Sequence, residues 1–137
     1  DRTTAILRGE YTPAKYICES GKQLEAMGAG LIAIPCNTSH YYYPYITSQL
    51  NIPVVHMLEE TAKECLQLGM RTGGVLATTG TRQTGIYDQA LKKYGIQTIY
   101  PEEEDQKLLM SVIYDYVKAG KVVEPSISPG LWQLSIS

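Results

Sequence analysis

Three consecutive residues, Cys36, Asn37 and Thr38, put a thiol, an amide and a hydroxyl at one point of the chain. They follow Leu31-Ile-Ala-Ile34, a short apolar run that reads as a buried strand, and Pro35, which ends it. Where a strand passes into a helix, backbone N–H groups are left unpaired and the helix dipole presents its positive end. Both favour a thiolate, and a free Cys of pKa about 8.5 can fall by one or more units there. Cys36 is therefore a candidate base or nucleophile; the competing reading is an inert thiol buried at a strand end. A second group of small polar residues, Thr79-Gly80-Thr81, follows the apolar run Gly73–Thr78.

The rest of the pattern alternates helix and strand. Thr12-Pro13 reads as a helix start, with Thr12 as N-cap. Ile17, Leu24 and Met27 give that helix an apolar face, Gly21 weakens it and Gly28 ends it. After the Leu31–Ile34 strand, a helix is expected from about Thr38 to Leu50, in which Pro44 kinks it or starts its regular part. Ile52–His56 is the next strand. Leu58, Ala62, Cys65 and Leu66 line a helix that stops at Gly69. Beyond the Gly73–Thr78 strand, Ile86, Ala90, Leu91 and Tyr94 share one helix face, closed by Gly95. Gln97–Tyr100 is a short strand. Glu102–Asp105 places four carboxylates on a first helical turn, as the dipole favours. Leu108, Leu109, Val112, Ile113, Tyr116 and Val117 form the expected buried stripe of that helix, which ends at Gly120. Strands separated by helices imply an α/β fold, a parallel sheet flanked by helices, with ligands at the carboxyl ends of its strands. Cys36-Asn37-Thr38 and Thr79-Gly80-Thr81 occupy two such ends.

Composition narrows the partners. At 137 residues, 44% apolar and 19% charged, the chain has the make-up of an ordinary globular domain. A net charge of −2 gives no electrostatic case for nucleic acid or an anionic membrane. No apolar run is long enough to span a bilayer, and no signal peptide is visible. Cys18, Cys36 and Cys65 form an odd, widely spaced set, which favours a reducing, cytoplasmic setting. His40 and His56 are not spaced with carboxylates or cysteines as metal ligands would be, so no metal is expected. Tyr41, Tyr42, Tyr43 and Tyr45 read as helix packing. Gly73, Gly74 and Gly80 are too sparse for a dinucleotide fingerprint and suit a backbone approach to a small anion. The chain opens on Asp1, and Glu124–Ser137 holds Pro125, Pro129, Gly130, Trp132 and four serines. The expectation from both ends is a fragment or an interrupted gene product.

Pro35-Cys36-Asn37-Thr38-Ser39-His40-Tyr41, followed by Ile52-Pro53-Val54-Val55-His56-Met57-Leu58-Glu59-Glu60-Thr61, resembles the aspartate/glutamate racemase family, aspartate racemase branch. Gly74–Thr81, Tyr100-Pro101-Glu102-Glu103 and Ile113–Gly120 match it too, so that the likeness runs from Asp1 to about Lys121. The resemblance implies two pseudo-similar α/β domains, both incomplete at the chain ends. The first, 1–70, lacks its opening strand; the second begins over 71–121; 122–137 is a divergent tail. It implies racemisation without a cofactor: one thiolate removes the α-proton of an acidic amino acid, aspartate favoured, and an opposite thiol returns one to the other face. By motif match Cys36 is one of these thiols. Asn37, Thr38, Thr79 and Thr81 would hold substrate, and Arg2 and Lys118 match charged positions suited to a dicarboxylate. A homodimeric parent is also implied. The family's second cysteine lies in a Gly-Cys-Thr-Glu segment that this chain does not contain. Cys18 and Cys65, each on the apolar face of a predicted helix, do not replace it. An inactive dicarboxylate-binding remnant and a one-cysteine isomerase of the same superfamily stay open as alternatives.

Overall fold

Pro13 lacks a backbone N–H, so a helix accommodates it only in the first turn. It occupies that turn of α2 (Thr12–Ala26), whose N-cap is Tyr11, so Thr12 is the first helical residue and not the cap. A short helix, α1 (Arg2–Leu7), precedes it. The computed structural model describes residues 2–123, without the side chains of Arg2 and Thr3; Trp132 and the rest of 124–137 lie outside the described residues.

The face that α2 turns inward is Ala14, Cys18 and Gly21, with Ile17 half-buried, whereas Leu24 and Met27 are exposed. Small residues decide this, because they let the helix axis come close to its neighbours. A Cβ on Gly21 would stand 2.9 Å from Leu50 Cδ2 and 3.4 Å from Ile32 Cδ1. Gly21, expected only to weaken the helix, is what lets it pack.

Two parallel ladders follow. β1 (Ile32–Ala33) pairs with β2 (Val54–Val55), Ile32 opposite Val54. β3 (Thr72–Gly74) pairs with β4 (Gln97–Ile99), Gly73 opposite Thr98. Each sheet has two strands among the described residues. The strands are shorter than the apolar runs suggest, since each is paired along one edge only. Helices fill the intervals, as an α/β fold requires. A 3₁₀ helix, Asn37–Tyr42, leads into α3 (Tyr43–Gln49), whose first turn takes Pro44. α4 (Met57–Gln67) joins β2 to β3. The single helix expected after β3 is two, α5 (Thr79–Thr84) and α6 (Ile86–Lys93), broken at Gly85, whose φ of +66° lies in the left-handed region. α7 (Glu103–Ser111) runs directly into a π-helical stretch, Val112–Val117.

One core gathers Ile6, Ala14, Cys18, Ile32, Ile46 and Val54 around β1 and β2. Another gathers Ala62, Val75, Ala77, Leu91 and Ile96 around β3 and β4. Leu58 of α4 forms a third, smaller cluster with Ile86 and Ala90 of α6. The expected stripe on α7 is buried only at Leu109, joined by Gln106; in the π-helical stretch Val117 is 62% exposed, and Ile113 and Tyr114 line an open cleft. Among the described residues no helix is long and apolar enough to cross a membrane, and no cluster of His, Cys, Asp or Glu is arranged for a metal.

Candidate active-site cleft

At the end of β1 the chain turns sharply. The Cys36 N–H donates to the Ile34 carbonyl at 2.7 Å, and Cys36 takes an extended conformation (φ −150°, ψ 108°) as N-cap of the 3₁₀ helix. Its thiol does not cap that helix. The cap is made by the backbone, with the Ser39 N–H donating to the Cys36 carbonyl at 3.2 Å. The same carbonyl lies 2.9 Å from His40 Nδ1. On the other side of the ring, the Met57 N–H donates to His40 Nε2 at 3.1 Å. The Val55 carbonyl lies farther from the same nitrogen, at 3.4 Å; with the shorter Met57 contact Nε2 accepts, which leaves the ring proton on Nδ1, donating to Cys36. The ring is buried, parallel to Tyr43 and 5.2 Å from the His56 ring.

A second loop meets the first from the end of β3. Thr78 is the N-cap of α5, and its Oγ1 accepts the Thr81 N–H at 3.2 Å. Thr81 Oγ1 stands 2.9 Å from Thr78 Oγ1 and 3.1 Å from Thr38 Oγ1. The Thr38–Thr81 contact therefore ties together two strand ends that are 43 residues apart in sequence. Gln106, buried on α7, holds this loop from behind. Its Nε2 donates to the Ala77 carbonyl at 2.9 Å and to Thr79 Oγ1 at 3.3 Å.

Between the loops opens a cleft of about 1370 Å³. Cys36, Asn37, Thr38, Thr81 and Lys118 line it together, with Thr78, Leu76, Tyr114 and Arg8. The Lys118 ammonium lies 4.2 Å over the Tyr114 ring. Thr79 is not on this wall; its hydroxyl is taken by Gln106. The side chain of Arg2 lies outside the described residues. Cys18 is in the first core, where burial pushes its thiol up against the smaller opposing pull of Lys22. Cys65 packs against the second core. Cys36 is the cysteine that reaches the cleft. A half-buried thiol, a row of hydroxyls and an ammonium make a wall suited to a small carboxylate next to a group that exchanges protons. Spacing alone did not reveal His40, Thr78 or Gln106. Their roles come from contacts between elements, and no local pattern encodes those.

Comparison with known proteins points the same way. The Asp/Glu/Hydantoin racemase family model matches residues 1–124. The broad specificity amino-acid racemase RacX of Bacillus subtilis (strain 168) is 38% identical over 92 residues, covering 67% of this chain and 40% of that protein. The crystal structure of an aspartate racemase homologue from Pyrococcus horikoshii OT3 superposes with a TM-score of 0.70 at 29% identity, over 78% of this chain and 47% of that one. Picrophilus torridus aspartate racemase gives 0.69 at 27% identity, over 94% and 56%. The chain thus spans roughly half the length, or less, of the proteins it matches.

Proposed function

This chain belongs to the Asp/Glu/hydantoin racemase family, and from that premise we propose that it carries one half of the proton-transfer machinery of a cofactor-independent amino-acid racemase, with an acidic amino acid, aspartate above all, as substrate. One observation carries the reading: Cys36, Thr38 and Thr81, from two separate strand ends, face a single cleft. In this reading the Cys36 thiolate takes the α-proton, and the bonding pair left behind is delocalised onto the α-carboxylate. That charge needs fixed donors, because the α-carbon is a weak acid. Asn37, the threonine hydroxyls and the Lys118 ammonium are the donors at hand; Lys118 and Arg2 suit the second carboxylate. The proton then returns from sulfur to carbon, so no atom is gained or lost and no cofactor is called for. The parent protein is proposed to work in the cytoplasm as a homodimer.

A second reading has its own support. Among the described residues only one thiol lines the cleft, and one base on one face exchanges a proton without readily inverting the centre. A one-cysteine isomerase, or an enzyme that exchanges but does not racemise, fits that count. The test is the loss of the α-proton signal of aspartate in heavy water. Cys36→Ser is expected to abolish exchange and Cys65→Ser to leave it intact; exchange that survives Cys36→Ser overturns the assignment.

A further inference from the structure

His40 has no part in the proton transfer just described, yet it is 5% exposed and both of its ring nitrogens are engaged. Burying an imidazole is costly unless each nitrogen is satisfied, and here the two shorter contacts come from different elements, with the Val55 carbonyl farther off at 3.4 Å from Nε2. Nδ1–H reaches the Cys36 carbonyl at the end of β1, and Nε2 receives the Met57 N–H at the start of α4. We propose that His40 is the positioning residue for Cys36, clamping through its Nδ1–H donor the peptide that follows the thiol, with the first turn of α4 orienting the ring. The inference rests on Cys36 being the reactive group of the proposed racemase site. A peptide unit is planar and trans, so its carbonyl and its N–H point in opposite directions. With the Cys36 carbonyl drawn onto the buried ring, the Asn37 N–H points away from that ring. The clamp therefore fixes the donor that neighbours the thiol. Tyr43 and His56 confine the ring, and behind His56 lie Glu59 and its ion-pair partner Lys93. Without the clamp, the Cys36 carbonyl keeps only the Ser39 N–H, and the donor is held less firmly in one direction.

The two bonds of His40 can be separated by substitution. In His40→Asn the amide nitrogen stands near the position of Nδ1, so the donor to Cys36 is kept and the acceptor for Met57 is lost. His40→Gln places its amide near Nε2 and loses the donor. The readout is the rate at which iodoacetamide alkylates Cys36 in the full chain across neutral pH, resolved by mass spectrometry with Cys18 and Cys65 as internal references. His40→Asn is expected to stay within about twofold of the parent and His40→Gln to fall about tenfold, as a thiolate does when its support is lost. A merely structural role would slow both alike; equal behaviour of the two variants, in either direction, overturns the proposal. Met57→Pro supplies the same test from the other side if His40→Gln does not fold. Proline suits the first position of α4 and removes only the N–H that Nε2 accepts, the same bond that His40→Asn gives up, so alkylation within about twofold of the parent is expected and a tenfold fall overturns the proposal. Aspartate exchange by the same variants separates the two claims. Ordered alkylation in a parent chain that exchanges nothing overturns the racemase reading and leaves the clamp standing. Where the parent chain does exchange, equal exchange in His40→Asn and His40→Gln overturns the clamp.

Discussion

The hydroxyls of Thr38, Thr78 and Thr81 own three protons and share two hydrogen bonds, so one O–H is left to donate to a ligand. Thr81 sits in the middle of this row and is buried. Thr81→Val keeps the shape but removes the link and strands its neighbours. It should cost about 1–3 kcal/mol in urea unfolding, the usual penalty for an orphaned buried polar group. It should also weaken saturable binding of aspartate, read by calorimetry; unchanged affinity would show that the row takes no part in recognition. At this scale the sequence was most informative where a motif stayed local. Cys36, Asn37 and Thr38 could be placed at a strand end because Pro35 stops the strand and the next apolar period begins just after. Thr79 and Thr81 could not be told apart, since both belong to the first turn of one helix. The depth of Gln106, 27 residues further on, decides which of them the cleft sees.

Elements show where periodicity stops being informative. It identifies an apolar face but not what covers that face, and so α7 was expected to bury a long stripe that closes only at Leu109. The helix face of Ile86, Ala90, Leu91 and Tyr94 was legible, but the separate α5 before it was not, and the positive φ of Gly85 marks the break between them. Gly85→Ala forces a side chain into that conformation and should destabilise the chain by about 1 kcal/mol, seen as a lower urea midpoint. Gln106→Leu removes the brace between α7 and the β3 loop and should cost about 1–3 kcal/mol. The start of α4 carries a pH dependence. His56 Nδ1 accepts the Glu59 N–H as the helix cap, and burial lowers the His56 pKa below its ordinary 6.5, with the Glu59 charge opposing. The unfolded chain therefore takes up a proton first as pH falls. The stability His56 provides is complete above 6.5 and is lost from there down to its folded pKa. Thermal melts should show that loss, and His56→Asn, which can still cap, should remove it.

Over the whole molecule, two small cores are accompanied by a third cluster, in which Leu58 of α4 is almost fully buried against Ile86 and Ala90 of α6. Leu58→Ala should cost about 2–5 kcal/mol. The loss opens a cavity between α4 and α6 and should appear as a lower urea midpoint; an unchanged midpoint would show that this contact adds little to stability. The α/β arrangement itself was legible from alternating helical and apolar runs. The meeting of the β1 and β3 ends was not, because a contact across 43 residues has no period to betray it. That meeting is the basis of the central claim that Cys36 moves the α-proton of an acidic amino acid. The direct measurement follows α-deuterium incorporation into L- and D-aspartate separately by proton NMR in heavy water, alongside chiral analysis of each. With one thiol at the cleft, the account expects one enantiomer to exchange faster than it inverts, and Cys36→Ser to exchange neither. No exchange in either enantiomer, or exchange that continues without the Cys36 sulfur, would contradict it.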